Sequence, residues 1–241
     1  MTTAIKTVNL TKSFGSVFAI KDINLEIRTG EIFAFLGPNG AGKTTTVKIF
    51  SGLLKQSAGK VFICGIDTEK DPVAVKMIVG VVPDHPFIYP KLTGMEFLRL
   101  VGNIYGIGRD EQDVRIKGLL EVFGLGGFAG NLVETYSLGM RQKLVITSVL
   151  LHRPQVLILD EPLVGLDPKS ARMVKDMLVK LSREGVTIFM CTHILEIAER
   201  LAHRIGIINN GAIVVVGTKE ELQSMVTKAG TLEDIYLDIT A

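Results

Sequence analysis

Only two cysteines occur in the 241 residues, Cys64 and Cys191, and they lack metal-ligand spacing. Each lies in an apolar, strand-like run, which predicts buried free thiols in a reducing compartment. No apolar run approaches the 18 or so residues of a membrane span. The longest uncharged stretch, 205–218, is interrupted by Asn209-Asn210-Gly211 and reads as a hairpin. The opening residues, MTTAIKTV, have no basic head followed by an apolar stretch, so no secretory signal is expected. Net charge is only +2, which by itself implies no polyanionic partner. There is no internal repeat, low-complexity segment or sustained heptad pattern.

What is present is apolar material. The hydrophobic fraction is 47%, near the top of the ordinary soluble range, and mean hydropathy is positive. A chain of this length holds one or two domains and a sizeable core. The composition predicts a soluble, cytosolic α/β protein whose excess apolar character fits a docking surface.

The most informative stretch is GPNGAGKTT: Gly37, Pro38, Asn39, Gly40, Ala41, Gly42, Lys43, Thr44 and Thr45. An apolar run, 32–36, precedes it and a helical segment, 45–54, follows. Strand, glycine-rich turn and helix form the context of a phosphate loop. Gly37, Gly40 and Gly42 are expected to take backbone angles that a side chain forbids. Their N–H groups and the helix start can then surround a phosphate. Lys43 is placed to reach the β- and γ-phosphates, and the Thr44 hydroxyl to meet Mg²⁺.

Residues 4–10 and 20–27 read as strands. Phe14 lies between them, either a packing aromatic or a ring on which a base stacks. Apolar runs at 59–66 and 77–83 predict further strands of a largely parallel sheet. Beyond Asp84 the pattern turns helical. Thr93 and Glu96 fit a capping box ahead of Phe97, Leu98, Val101 and Ile104. Residues 109–123 form an amphipathic segment, and a helix capped by Ser137 stops before Pro154. Residues 85–153 therefore read as a mostly helical insertion. The strand 156–159 ends in Asp160 and Glu161, and the strand 187–191 ends in Thr192 and His193, both at carboxyl ends where ligands of such sheets collect. Asp167 caps a helix that begins with Pro168. Thr218 and Glu221 form a second capping box that opens a short tail.

Asp160 with Thr44 matches the Mg²⁺ arrangement of phosphate-loop enzymes, leaving Glu161 to orient or deprotonate water. His193, near the same rim, is a candidate donor to the γ-phosphate.

With these motifs in order, residues 4–217 resemble the nucleotide-binding subunits of ATP-binding cassette (ABC) transporters. In that resemblance Phe14 is the base-stacking aromatic and residues 37–44 the phosphate loop. Ser137-Leu138-Gly139-Met140-Arg141-Gln142 match the signature, Gly165-Leu166-Asp167 the loop that crosses the dimer interface, and His193 the switch histidine. The resemblance implies one cassette over residues 1–241. Its fold is α/β: a phosphate-loop NTPase (RecA-like) core with a mostly parallel sheet, an N-terminal antiparallel β part, a helical subdomain at about 85–153 and a helical tail at about 218–241. It also implies ATP and Mg²⁺ as cofactors, a second nucleotide-binding subunit arranged head to tail, and a transmembrane permease on a separate chain. Ser137 and Gly139 would then complete the partner's ATP site. Residues 85–93, with Phe87, Ile88, Tyr89 and Pro90, would dock on the permease at the cytoplasmic face. The variant signature and the tail around Thr231-Leu232-Glu233-Asp234 look like two-component exporters.

Two departures stand out. The signature, usually LSGGQ, here reads Tyr136-Ser137-Leu138-Gly139-Met140, so Ser137 and the second glycine survive while Met140 replaces the glutamine. Asp84 replaces the family's glutamine, adding a shorter, acceptor-only carboxylate that is expected to sense the metal less tightly. The alternative is a soluble ATPase of this type acting on nucleic acid or ribosomes. Such proteins usually carry two cassettes or a long coiled coil, whereas this chain has one cassette and little positive charge. An ordinary kinase or GTPase is disfavoured by the signature segment and the missing NKxD pattern.

Overall fold

Two long strands, β1 (Thr3–Phe14) and β2 (Val17–Arg28), pair antiparallel around a two-residue turn. The structure is a computed structural model that describes residues 2–85, 87–224 and 232–240. β3 (Ile32–Leu36) leads into α1 (Lys43–Phe50), and β4 (Ala58–Ile63) returns to pair with β1 and with the short β5 (Ile66–Asp67). α2 (Pro72–Ile78) and β6 (Val79–Val82) follow. Next come α3 (Gly94–Ile104), α4 (Arg109–Phe123) and α5 (Leu138–Leu150). The chain then alternates through β7 (Val156–Asp160), α6 (Pro168–Arg183), β8 (Thr187–Thr192) and α7 (Leu195–Leu201). It closes with β9 (Arg204–Asn209), β10 (Ala212–Gly217), α8 (Lys219–Ser224) and α9 (Leu232–Thr240).

The first sheet is antiparallel, ordered β2-β1-β4-β5. The second is ordered β10-β9-β3-β8-β7-β6, parallel except for the β9–β10 hairpin. β3, β7 and β8 are buried along their whole length. Their side chains alternate between two cores. Phe33, Phe35, Ile158 and Phe189 face the antiparallel sheet and α1. Ala34, Leu36, Leu157, Leu159 and Met190 share the other core with Phe97, Leu98, Ile116, Leu120 and Leu144 of the helical layer. Coverage on both faces is what near-continuous apolar strands require. No helix among the described residues is long and apolar enough to cross a membrane.

Three expectations change. The run 59–66 does not join the parallel sheet; β4 lies antiparallel to β1 instead. Val61 and Ile63 are fully buried while Phe62 between them and the residues before them are less so, the alternation of a sheet with one buried face. Met77 belongs to α2, not to a strand: Asp71 caps that helix through the Ala74 N–H, Pro72 opens it, and the strand starts at Val79. Ile88 is buried in the core of the helical layer, whereas Phe87 and Tyr89 are exposed and pack edge to face. Both capping boxes form, at Thr93 with Glu96 and at Thr218 with Glu221. In the tail, Thr231 lies outside the described residues.

Phe189 is fully buried, with its ring centroid 5.0 Å from Phe50, 5.3 Å from Phe35 and 6.1 Å from Phe33. Phe189→Ala is expected to cost about 3–5 kcal/mol of stability. Urea unfolding checks this; a loss below about 1 kcal/mol would mean the site collapses around the change.

Candidate active site

Leu36 ends β3, and the chain turns through residues 37–42 into α1. Gly42 caps that helix at φ +112, and a Cβ there would lie 2.6 Å from the Ala19 carbonyl oxygen. Angle and space both demand glycine. Gly37 differs from expectation, because it does not take a positive φ. Its requirement is room: a Cβ would sit 2.4 Å from the Ile208 carbonyl oxygen. A support that no local pattern announces comes from the β9–β10 turn, where the Gly211 N–H donates to the Ala41 carbonyl at 3.0 Å.

Lys43 is buried, and its ammonium donates to the carbonyls of Gly37 (2.6 Å) and Pro38 (3.0 Å). Thr44 follows, and its hydroxyl donates to Asp160 Oδ2 at 3.0 Å. One cavity of about 190 Å³ brings together Asn39, Gly40, Gly42, Lys43, Thr44 and Thr45 of the loop with Asp84, Asp160 and Glu161. Ala19 of β2 closes one side, a contributor with no signal in the sequence.

Asp160 is 3% exposed. Burial pushes its carboxyl above the usual range. The Thr44 hydroxyl and the Lys43 ammonium oppose that push, and the charges of Asp84 and Glu161 add to it. Asp84 is more open, with its Oδ2 3.4 Å from His85 Nδ1.

Glu161 sits just beyond β7 at φ +49, a left-handed conformation uncommon for a residue with a side chain. Its N–H donates to the Cys191 carbonyl at 3.0 Å. Its Oε2 accepts from the Thr192 hydroxyl at 3.1 Å, and its Oε1 from the His193 N–H at 2.9 Å. His193 Nδ1 lies 2.7 Å from the same Oε1. In the sequence Thr192 is only a strand end; in the fold it orients the carboxylate.

The donor set suits a hard cation that shares its ligands with a phosphate. No three His, Cys, Asp or Glu side chains form a metal cage among the described residues. A carboxylate whose charge is disfavoured by burial and by two acidic neighbours, beside a hydroxyl, matches Mg²⁺, which prefers oxygen ligands and retains others from substrate and water.

Gly37, Pro38 and Ala41 of the loop and His193 beside Glu161 do not themselves line this cavity, nor do Phe14, Ser137, Gly139 and Asp167. Phe14 is 55% exposed at the end of β1, with the Lys12 ammonium 5.0 Å from its ring centroid. Ser137 caps α5 by accepting the Met140 N–H at 3.2 Å, and Gly139 is the second residue of that helix, packed toward the Gly165 carbonyl. Asp167 caps α6, and donation from the Ser170 hydroxyl and N–H holds its carboxyl below the usual range. Gln142 has no role in the sequence reading beyond closing the altered signature. It is buried, and its amide donates to the Pro162 carbonyl at 3.2 Å.

A sequence model of the family described as ABC transporter matches residues 20–164. The linearmycin resistance ATP-binding protein LnrL of Bacillus subtilis (strain 168) is 37% identical over 216 residues, covering 90% of this chain and 70% of that protein. A solved ATP-binding subunit of an ABC transporter superposes with a TM-score of 0.93 at 29% identity, covering 99% of this chain and 100% of that one. An ATP-binding cassette solved as a dimer in a post-hydrolysis state with ADP and Pi superposes with a TM-score of 0.82 at 27% identity, covering 89% and 98%.

Lys43→Ala removes the only side-chain cation lining the cavity among the described residues. Affinity for a nucleoside triphosphate is expected to fall at least about tenfold, the worth of a charge-assisted hydrogen bond. A fluorescent-nucleotide titration checks this, and unchanged affinity would remove Lys43 from the phosphate site.

Proposed function

The chain belongs to the family of ABC transporter ATP-binding proteins, and from that membership and the site's geometry we propose how its residues divide ATP binding and hydrolysis. The observation that carries the reading is the Thr44–Asp160 hydrogen bond, which joins the phosphate loop to the strand end beside Glu161. The loop N–H groups and the start of α1 bind the β- and γ-phosphates. Lys43 exchanges its loop carbonyls for phosphate oxygens. Thr44 and Asp160, with Asp84 on the same cavity, would hold Mg²⁺, which neutralises charge on the β- and γ-phosphates.

Glu161 orients the attacking water and accepts its proton. The side chain is already held by Thr192 and His193. With Nδ1 bonded to Glu161, His193 donates from Nε2 to the γ-phosphate only when both ring nitrogens carry a proton. The exposed ring of Phe14 offers a face to adenine.

One subunit supplies half of the surroundings of the γ-phosphate. Ser137 and the Gly139 N–H, at the positive end of α5, complete the site of a second subunit placed head to tail, with Asp167 at the crossing loop. Intact ATP bridges the two subunits and hydrolysis removes the bridge, a two-state switch set by the γ-phosphate. A membrane permease on a separate chain turns that switch into transport. Phe87, Tyr89 and Pro90 form the exposed part of its docking surface at the cytoplasmic face. Export is the direction favoured, because LnrL is named for resistance. The alternative of an ATPase acting on nucleic acid gains no support from the relatives.

Glu161→Gln keeps the shape of the side chain and removes the base. Turnover is expected to fall at least about a hundredfold, in line with general-base catalysis, while ATP drives dimers that persist in size-exclusion chromatography. A variant that stays monomeric in saturating ATP, with and without the permease, would rule out the closure scheme. Asp84→Gln removes one of the cavity's negative charges. Its ATPase activity is expected to require a different Mg²⁺ concentration for half-maximal rate, and a superimposable Mg²⁺ titration would exclude Asp84 from the metal site.

A further inference from the structure

Helix α5 lays one face on the loop that follows Glu161. Leu138 and Gln142, four residues apart, share that face. Leu138 covers Gly165, where an added Cβ would lie 2.7 Å from Leu138 Cδ2. Gln142 is 4% exposed, and its Nε2 donates to the Pro162 carbonyl at 3.2 Å. Pro162 is itself buried and directly follows Glu161. The left-handed backbone of Glu161 persists only where its surroundings hold it. On the β8 side the Cys191 carbonyl takes its N–H, and Thr192 and His193 take its carboxylate. On the other side Gln142 holds the carbonyl of the next residue, Pro162.

We propose that Gln142 is a positioning residue for ATP hydrolysis. Through the Pro162 carbonyl it fixes the backbone that aims the Glu161 carboxylate, and it ties that backbone to the helix whose first turn completes the partner subunit's site. This rests on the reading of Glu161 as the base and of Ser137 and Gly139 as the other half-site. The helix that senses ATP in one site thereby holds the base of the other, so the two sites of a dimer are coupled within each subunit.

Two substitutions separate positioning from packing. Gln142→Met keeps the volume and loses the donor. Its kcat is expected to fall about ten- to a hundredfold, the usual effect of a small misplacement of a catalytic group, with KM for ATP nearly unchanged. Gln142→Glu can donate to the Pro162 carbonyl only while protonated, and burial raises the pKa of such a carboxyl. Its turnover, divided by that of the unsubstituted chain at each pH, is expected to rise as pH falls from about 8 to about 6. The same ratio for Gln142→Met stays flat. A packing role alone would lower the melting temperature of both variants and leave both ratios flat.

A folded Gln142→Met variant with kcat within about twofold of the unsubstituted chain would overturn the proposal. If that variant does not fold, a flat ratio for Gln142→Glu overturns it. Glu161→Gln is measured alongside. Full turnover there would remove the assignment of the base itself, whereas an inactive Glu161→Gln beside a fully active Gln142→Met removes only the positioning role.

Discussion

Three parallel strands end level, and the chemistry sits where they end. Leu36 pairs with Thr192, and Asp160 with Cys191. One residue further on, each strand delivers a working group: the phosphate loop after β3, Glu161 after β7 and His193 after β8. Neighbouring strands lie about 4.8 Å apart, so side chains leaving adjacent ends meet without any long reach. The same register places Phe33 beside Phe189, with rings stacked 6° from parallel. A slip of β8 by one residue would turn Phe189 to the other face, away from Phe33, and part Glu161 from Thr192. Core and site are therefore fixed by one alignment.

Charge in the site is unbalanced toward the acids. Asp84, Asp160 and Glu161 share a cavity with the ammonium of Lys43, and a triphosphate adds further negative charge. Backbone N–H groups of the loop and the α1 terminus offset part of it. The carboxyl of Asp160, pushed up by burial and by its acidic neighbours, gains from any cation shared with the phosphates. Asp84 sharpens this, since a glutamine there would carry no charge. The phosphate loop and the carboxylates beside it are in this sense one electrostatic unit.

Features encoded within a few residues are legible in the sequence alone. The phosphate loop, the apolar strand ending in Asp160 and Glu161, the capping boxes at Thr93 and Thr218, and the Asp167–Pro168 helix start all rest on local spacing. What the sequence hides rests on contacts between distant parts of the chain. Gly37 answers to the Ile208 carbonyl, Ala41 to Gly211, and Gln142 to Pro162. The place of β4 is hidden because a short apolar run between glycines has no feature that names its partner, and only its alternating burial betrays a one-sided sheet. Ile88 reads like its exposed neighbours Phe87 and Tyr89, because three consecutive apolar residues do not say which one turns inward.

The altered signature makes physical sense once α5 is seen against its own subunit. Gly139 has little freedom: a Cβ there would stand 3.2 Å from the Gly165 carbonyl oxygen, tighter than a well-packed contact. Ser137 caps the helix and keeps its hydroxyl at the exposed end. Those are the two positions that retain the family pattern. The three that depart have neighbours inside the chain: Tyr136 is buried in the core of the helical layer, Leu138 lies over Gly165, and Met140 packs against that core. The departures at Leu138 and Met140 thus place apolar side chains against the chain's own loop and helical layer, although Leu138 is also 64% exposed. Helix α5 therefore packs on the loop that follows Glu161 in its own subunit, through Leu138, Gly139 and Gln142.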